Sequence, residues 1–193
     1  MNVQAGKYHH GDLKLALIEA AQQILEKKGL AALTLRSVAR RAGVSHAAPY
    51  RHFANLEALL AEIATQGFAA LKNDIASAAG APGLESDRIA HIGAAYMFFA
   101  GRHPGLVRLM FGPQLKNRAD FPALADAADA VGHEMGRALG DDALGLAVWS
   151  AVHGMALLVL ENVIDLGQRQ AGMAALPSRV EILLRSLFSK MWR

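Results

Sequence analysis

Helical spacing of apolar residues governs this chain and leaves little room for any other secondary structure. Leu13, Leu17, Ala20, Ala21 and Ile24 fall at i, i+4, i+7, i+8 and i+11, one face of a helix that Gly29 then stops. No stretch alternates apolar and polar residues with the period of two that a half-buried strand requires, so the pattern predicts an all-α protein. Thr34 is placed to cap a short second helix, Leu35 to Ala42, with Val38 and Ala39 inward. Ser45 would cap a third, His46 to Phe53, and Asn55 a fourth running from Leu56 through Phe68. Gly and Pro breaks at Gly80 to Gly83, His103 to Gly105, Gly112-Pro113, Gly140 and Pro177 divide the remainder into helices near 86–102, 105–111, 121–139, 142–167 and 178–191.

With 193 residues, 53% of them hydrophobic, such helices can bury a core unaided. The absence of cysteine excludes a disulfide scaffold, a thiolate metal site and a cysteine nucleophile, and it fits a reducing cytoplasm. Met1 to His10 is polar and lacks a signal-peptide apolar region, which gives the same expectation of a cytoplasmic protein. Residues 1–55 hold eight Lys and Arg against three Asp and Glu, a net +5, although the whole chain is only +3. A basic head on a mildly acidic body points to a polyanion at the head. Of these basic residues, Lys7 lies before the first helix with His9 and His10, a candidate arm toward that polyanion.

The head contains the most specific pattern. Two short helices flank the turn Ala42-Gly43-Val44-Ser45, and small Ala39 stands four residues before Gly43. The small side chain lets the second helix approach the first, and glycine takes the left-handed turn without steric cost. This is the spacing of a helix-turn-helix.

Thr34 to Phe53, read as Thr-Leu-Arg-Ser-Val-Ala-Arg-Arg-Ala-Gly-Val-Ser-His-Ala-Ala-Pro-Tyr-Arg-His-Phe and followed by Leu56-Glu-Ala-Leu-Leu60, resembles the DNA-binding domain of TetR/AcrR regulators. The resemblance runs over about residues 10–70. It implies a three-helix helix-turn-helix head, residues 10–55, on a helical ligand-binding and dimerisation body, residues 56–193. The implied activity is that of a homodimeric transcriptional regulator, a repressor released from a pseudo-palindromic operator by a small molecule.

The N-terminal residues of a second helix-turn-helix helix face base edges, which assigns Ser45, His46, Ala47 and Ala48 to the major groove. His46 and Arg51 can hydrogen-bond there, and Arg36 can fork onto a guanine. Tyr50 and His52 suit phosphate oxygens, and Thr34 can both cap its helix and donate to a phosphate. Where many family members carry Lys at the start of the fourth helix, this chain has Leu56, so one charged phosphate contact is missing.

In the body, Ala143 to Leu160 carries no Asp, Glu, Lys or Arg. Ser150, His153, two glycines and the acidic flank Glu161 and Asp165 favour a helix buried on two sides over a membrane span. Val180, Leu183, Leu184, Leu187 and Met191 form a matching stripe, so helices 142–167 and 178–191 are the expected dimer interface. Trp149-Ser-Ala-Val-His153-Gly154 resembles the Trp-His-Gly signature of one subgroup of regulator C-terminal domains. Tyr96, Phe99, Met110, Phe111, Trp149 and His153 are the candidate lining of a mostly apolar effector pocket, with His153 as polar anchor.

No His-Glu-x-x-His, Walker loop, Gly-x-Gly-x-x-Gly or Gly-x-Ser-x-Gly occurs, so no enzymatic activity, cofactor or metal is expected. Two other readings stand beside the regulator: an enzyme whose acid and base converge from distant residues, and a constitutive architectural DNA binder.

Overall fold

A computed structural model describes residues 10–115, 117–167, 172 and 176–191. Among these residues the protein is all-α, with eight α-helices and no strand. They are α1 His10–Lys28, α2 Leu35–Arg41, α3 Leu56–Ala79, α4 Glu85–Arg102, α5 Pro104–Phe111, α6 Pro122–Leu139, α7 Asp142–Leu160 and α8 Leu176–Met191.

The head is assembled from α1, α2 and the segment leading to α3. Leu17, Ile18, Ala21, Ile24 and Leu25 of α1 are buried, as are Leu35, Val38 and Ala39 of α2. Thr34 and Ser37 form a reciprocal cap at the start of α2: the Ser37 N–H donates to Thr34 Oγ1 at 3.0 Å, and the Thr34 N–H donates to Ser37 Oγ at 2.9 Å. Gly43 takes a left-handed φ of +70°, and the Val44 N–H closes the turn onto the Ala39 carbonyl at 3.0 Å.

The expected third helix over His46 to Phe53 is not a regular α-helix. It is a turn followed by a 3-10 segment, Pro49–Arg51. Proline has no N–H, so the bond from residue 49 to the Ser45 carbonyl cannot form. The Ala48 N–H takes that carbonyl instead at 3.0 Å, and a single helical-range bond survives, from the Phe53 N–H to the Pro49 carbonyl at 2.9 Å. Buried Pro49 and Phe53 hold the segment against the head's core.

Asn55 caps α3 by accepting from the Ala58 N–H at 2.8 Å. This helix has 24 residues, about 36 Å, and passes from head to body. Leu59, Ile63, Phe68, Leu71 and Ile75 along it are all buried, so one hydrophobic core runs through both halves. In the body, α4 packs on α3, α7 and α8, and α6 packs on α3 and α7. The α6–α7 crossing is made backbone to backbone: a Cβ at Gly145 would lie 2.6 Å from the Gly136 nitrogen. Trp149, one turn further along α7, fills the space left by Gly132.

Two elements end differently from the sequence expectation. The helix expected over 142–167 stops at Leu160, because Asn162 turns left-handed at φ 58°. The Asn162 N–H bonds the Val159 carbonyl and the Val163 N–H bonds the Leu158 carbonyl at 2.8 Å, a Schellman closure built on asparagine rather than glycine. The expected stripe on α8 also splits. Val180 and Leu184 are buried in their own chain, Leu184 seated on α4 where Gly93 has no side chain, whereas Leu183 points outward at 45% exposure. The side chains of Leu187 and Met191 lie outside the described residues, as do Lys7 and His9 of the candidate arm and the His10 side chain.

By length and composition α7 could cross a membrane, and it is the single such helix among the described residues. Gly145, Val148, Val152, Ala156 and Val159 on it are buried against the rest of the chain, while Leu146, Ala147, Ser150, Ala151 and Leu158 face outward.

Candidate nucleic-acid interface and effector site

The head presents a polar face that its own fold does not use. Arg36, Ser45, His46, Ala47, Tyr50 and Arg51 are exposed, and Tyr50 is 63% accessible. No hydrogen bond or ion pair among the described residues engages the side chains of Arg36, Ser45, His46, Tyr50 or Arg51. Leaving cations and a phenol without an intramolecular partner at one turn adds nothing to the fold, and it is the arrangement expected of groups that meet another molecule.

Ala48 is half-buried, and Thr34 is exposed with its hydroxyl already accepting from Ser37. His52 differs from the rest, being half-buried with its ring centroid 6.4 Å from that of Phe53. Leu56 is half-buried and packs on the core, which accounts for an apolar residue at the start of α3.

The body brings four of its six candidate ligand residues together. Tyr96 is fully buried on α4, and its hydroxyl lies 2.8 Å from His153 Nδ1 on α7. The Phe111 ring sits 4.1 Å from the His153 ring and 6.3 Å from that of Trp149. Burial pushes the Tyr96 phenol far above its ordinary value. Burial also lowers the His153 imidazole, so both groups of the pair stay neutral near pH 7. With the imidazole proton assigned to Nε2, the phenol donates to Nδ1.

Phe99 and Met110 lie elsewhere. Phe99 stacks obliquely on His103, 5.2 Å between centroids, and Met110 packs over Gly67 of α3.

Two clefts adjoin these residues. One, of about 500 Å³, opens between α6 and α7 and exposes Trp149 together with Arg118, Asp129, His133 and Asp142. The other, of about 480 Å³, lies where head meets body, between Gln22 and Lys27 of α1 and Gln66, Phe99 and His103 of the body. Beside it the Glu26 carboxylate accepts from the Gly105 N–H at 2.9 Å and the Leu106 N–H at 3.0 Å, so a head residue caps a body helix.

Sequence reasoning missed the polar groups of both clefts. Asp129 and His133 stand one turn apart on α6, a visible signal, whereas Glu26 gave none because its partner lies 79 residues away.

Residues 17–63 match the family described as Bacterial regulatory proteins, tetR family, and residues 89–176 match Tetracyclin repressor-like, C-terminal domain. The chain belongs to the tetR family.

Solved structures similar to this regulator include a protein of unknown function from Rhodococcus sp. RHA1, 30% identical at a TM-score of 0.73, covering 94% of this chain and 97% of that one. A bacterial regulatory protein in the tetR family, also from Rhodococcus RHA1, is 19% identical at a TM-score of 0.70, covering 90% and 95%. The multidrug binding protein EbrR complexed with ethidium is 23% identical at a TM-score of 0.66, covering 94% and 99%. No curated protein matches the sequence. The regulator is therefore a DNA-binding transcriptional regulator with a helix-turn-helix head and a helical C-terminal domain.

Proposed function

We propose that this regulator acts in the cytoplasm as a homodimeric repressor that leaves a pseudo-palindromic operator when its body binds a mostly apolar small molecule. The observation that carries the reading is the exposed, internally unpartnered set Arg36, Ser45, His46, Tyr50 and Arg51 around a single turn. In this reading Arg36, His46 and Arg51 address base edges, and Ser45, Ala47 and Ala48 allow close approach to them. Tyr50 and Thr34 take phosphates, with His52 behind them as a secondary contact. Residues 10–55 act as the DNA-reading unit and 56–193 as the effector and dimer unit.

The outward faces of α7 and α8 support the dimer. Leu146 at 63% and Ile182 at 68% exposure, with Ala147, Ala151, Leu158 and Leu183, leave apolar surface uncovered, with Arg179 the cation beside it on α8. Pairing two such faces would seat two heads at a fixed separation, as two half-sites require.

For the effector, Tyr96, Phe111, Trp149 and His153 form an aromatic cluster with one neutral hydrogen-bonded pair, and the cleft between α6 and α7 reaches Trp149. Such a site favours amphipathic ligands with one or two polar anchors. EbrR, of the same fold, was crystallised with ethidium. In this reading the Trp149-to-Gly154 segment of α7 is the signature of the Trp-His-Gly subgroup.

The test is selection of a duplex from a random-sequence library by the purified protein, followed by anisotropy titration with and without hydrophobic compounds that raise its melting temperature. The expected result is a two-fold symmetric consensus whose affinity falls when a stabilising compound is added. A consensus without symmetry, or stabilising compounds that never alter DNA affinity, would overturn the repressor reading.

A further inference from the structure

A second charged surface lies on the head, outside the residues assigned to base reading. Between the last turns of α1 and α2 a cleft of about 390 Å³ is walled by Lys27, Lys28, Arg40 and Arg41, and no carboxylate lines it. Arg41 is held by the Gln23 side chain, its Nε donating to Oε1 at 2.9 Å, and this fixes one guanidinium at the rim. Lys27, Lys28 and Arg40 are exposed and make no ion pair among the described residues.

Basic residues at helix C-termini balance the helix dipole, and that is a sufficient reason for one or two of them. Each C-terminus carries about half a negative charge, so the two ends together offset about one of the four cations. A local excess of about three positive charges remains. Both oxygens of nearby Glu26 accept N–H groups at the start of α5, whose positive helix end offsets about half of its charge, so a net excess of about two to three positive charges persists.

The cleft is continuous with the DNA-reading face. Arg36 and Arg40 stand four residues apart on α2, on one side and about 6 Å along the axis. Ser37 and Arg41 form the neighbouring row, and both line the cleft. A strand whose base edges meet Arg36 and Ser45 to Tyr50 therefore has its adjoining phosphates within reach of Arg40, and past it of Lys27 and Lys28.

We propose that this basic cleft is a phosphate-binding surface that seats the DNA backbone on the flank of the segment read by Ser45 to Tyr50, lengthening the footprint of each head. The inference rests on the DNA-binding reading of the head. Its contribution is to affinity and salt dependence, with no information about base identity.

The probe is the duplex recovered from a random library by the wild-type protein, with affinity followed from about 50 to about 200 mM salt. Each lost phosphate contact removes about 0.9 from the slope of log affinity against log salt. Lys28→Gln combined with Arg40→Gln removes two contacts from each of two heads and should therefore flatten that slope by about 3.6 for the dimer on its duplex, while keeping the wild-type melting temperature and ranking of single-base operator variants. Lys72→Gln on α3, a cation of the body, should leave the slope unchanged.

An unaltered slope in the double variant, a changed base ranking, or an equal loss in Lys72→Gln would overturn the proposal. If inorganic pyrophosphate stabilises the wild type but not the double variant while the DNA slope stays the same, the cleft serves a small free anion instead. If no duplex is recovered at all, the DNA-binding reading itself fails and this inference falls with it; a recovered duplex with an unchanged slope removes only the inference.

Discussion

Head and body expose opposite chemistry. Around the turn after α2 the head shows cations, the Ser45 hydroxyl and the Tyr50 phenol without internal partners, whereas the outward sides of α7 and α8 show chiefly alanine, leucine and isoleucine. The first kind of surface suits a polyanion that supplies counter-charge, and the second suits a copy of itself that supplies only apolar area. One chain can thus carry two recognition surfaces that do not compete for the same partner.

The sharpest way to break this division is to put a charge on either side of α8. Leu184 is 2% exposed and seated against Gly93 of its own chain, so Leu184→Glu should cost about 4 kcal/mol or more and abolish cooperative thermal unfolding. Leu183→Glu, one residue away but outward, should keep the helical circular dichroism signal and shift sedimentation to the monomer. A folded monomer from Leu184→Glu would move Leu184 from the core to the interface, and a dimer that survives charges at both Leu183 and Leu146 would place the self-association surface elsewhere.

On the head, Arg36→Ala should weaken binding of the selected duplex by about 1–3 kcal/mol and relax preference at one symmetric base-pair position, with the melting temperature unchanged. Tyr50→Phe should weaken all sequences by similar, smaller amounts. If Arg36→Ala lost affinity equally for every sequence, anisotropy competition would reassign it to phosphate.

Glu26 tests whether the two regions are as separate mechanically as they are chemically. Its carboxylate makes two hydrogen bonds to the first turn of α5, and Glu26→Ala should lower stability by about 1–2 kcal/mol in urea, with helix content retained. An unchanged urea midpoint would mean that the α5 amides are satisfied equally well by water.

The smallest effect concerns pH. Burial holds His153 below its ordinary value of 6.5, so the unfolded chain takes up a proton more readily than the folded protein. The stability linked to this imidazole is therefore complete above about pH 6.5 and is lost progressively as pH falls below it, until the folded imidazole itself protonates. His153→Gln should flatten urea-derived stability between neutral pH and pH 5; an identical profile would show that other groups set the slope.

The head was legible because its determinants are local. Thr34 with Ser37, Gly43 and Asn55 each act within a few residues, and a reader of spacing finds them. Even there the Ser45 cap suggests a helix over His46 to Phe53, whereas Pro49, lacking an N–H, stands in a 3-10 segment and the stretch is not a regular α-helix.

The body was legible as helices but not as a site. Tyr96 meets His153 across 57 residues, and whether Leu184 or Leu183 points inward depends on an absent side chain at Gly93, which the stripe on α8 cannot reveal. Asn162 ends α7 in a left-handed conformation, a stop that the glycine and proline pattern does not mark.

The cap that Glu26 places on α5 also bears on modularity. A Cβ at Gly105 would lie 2.8 Å from the Leu25 carbonyl oxygen and 3.1 Å from Glu26 Oε2, so the carboxylate and the bare backbone that receives it fit only as a pair. A foreign head grafted onto this body would leave two amides at the start of α5 facing whatever the donor carries at that place. Heads of this fold are then exchangeable only between chains that match at the seam, and a chimaera that binds its operator yet ignores its effector would be repaired first at positions 26 and 105.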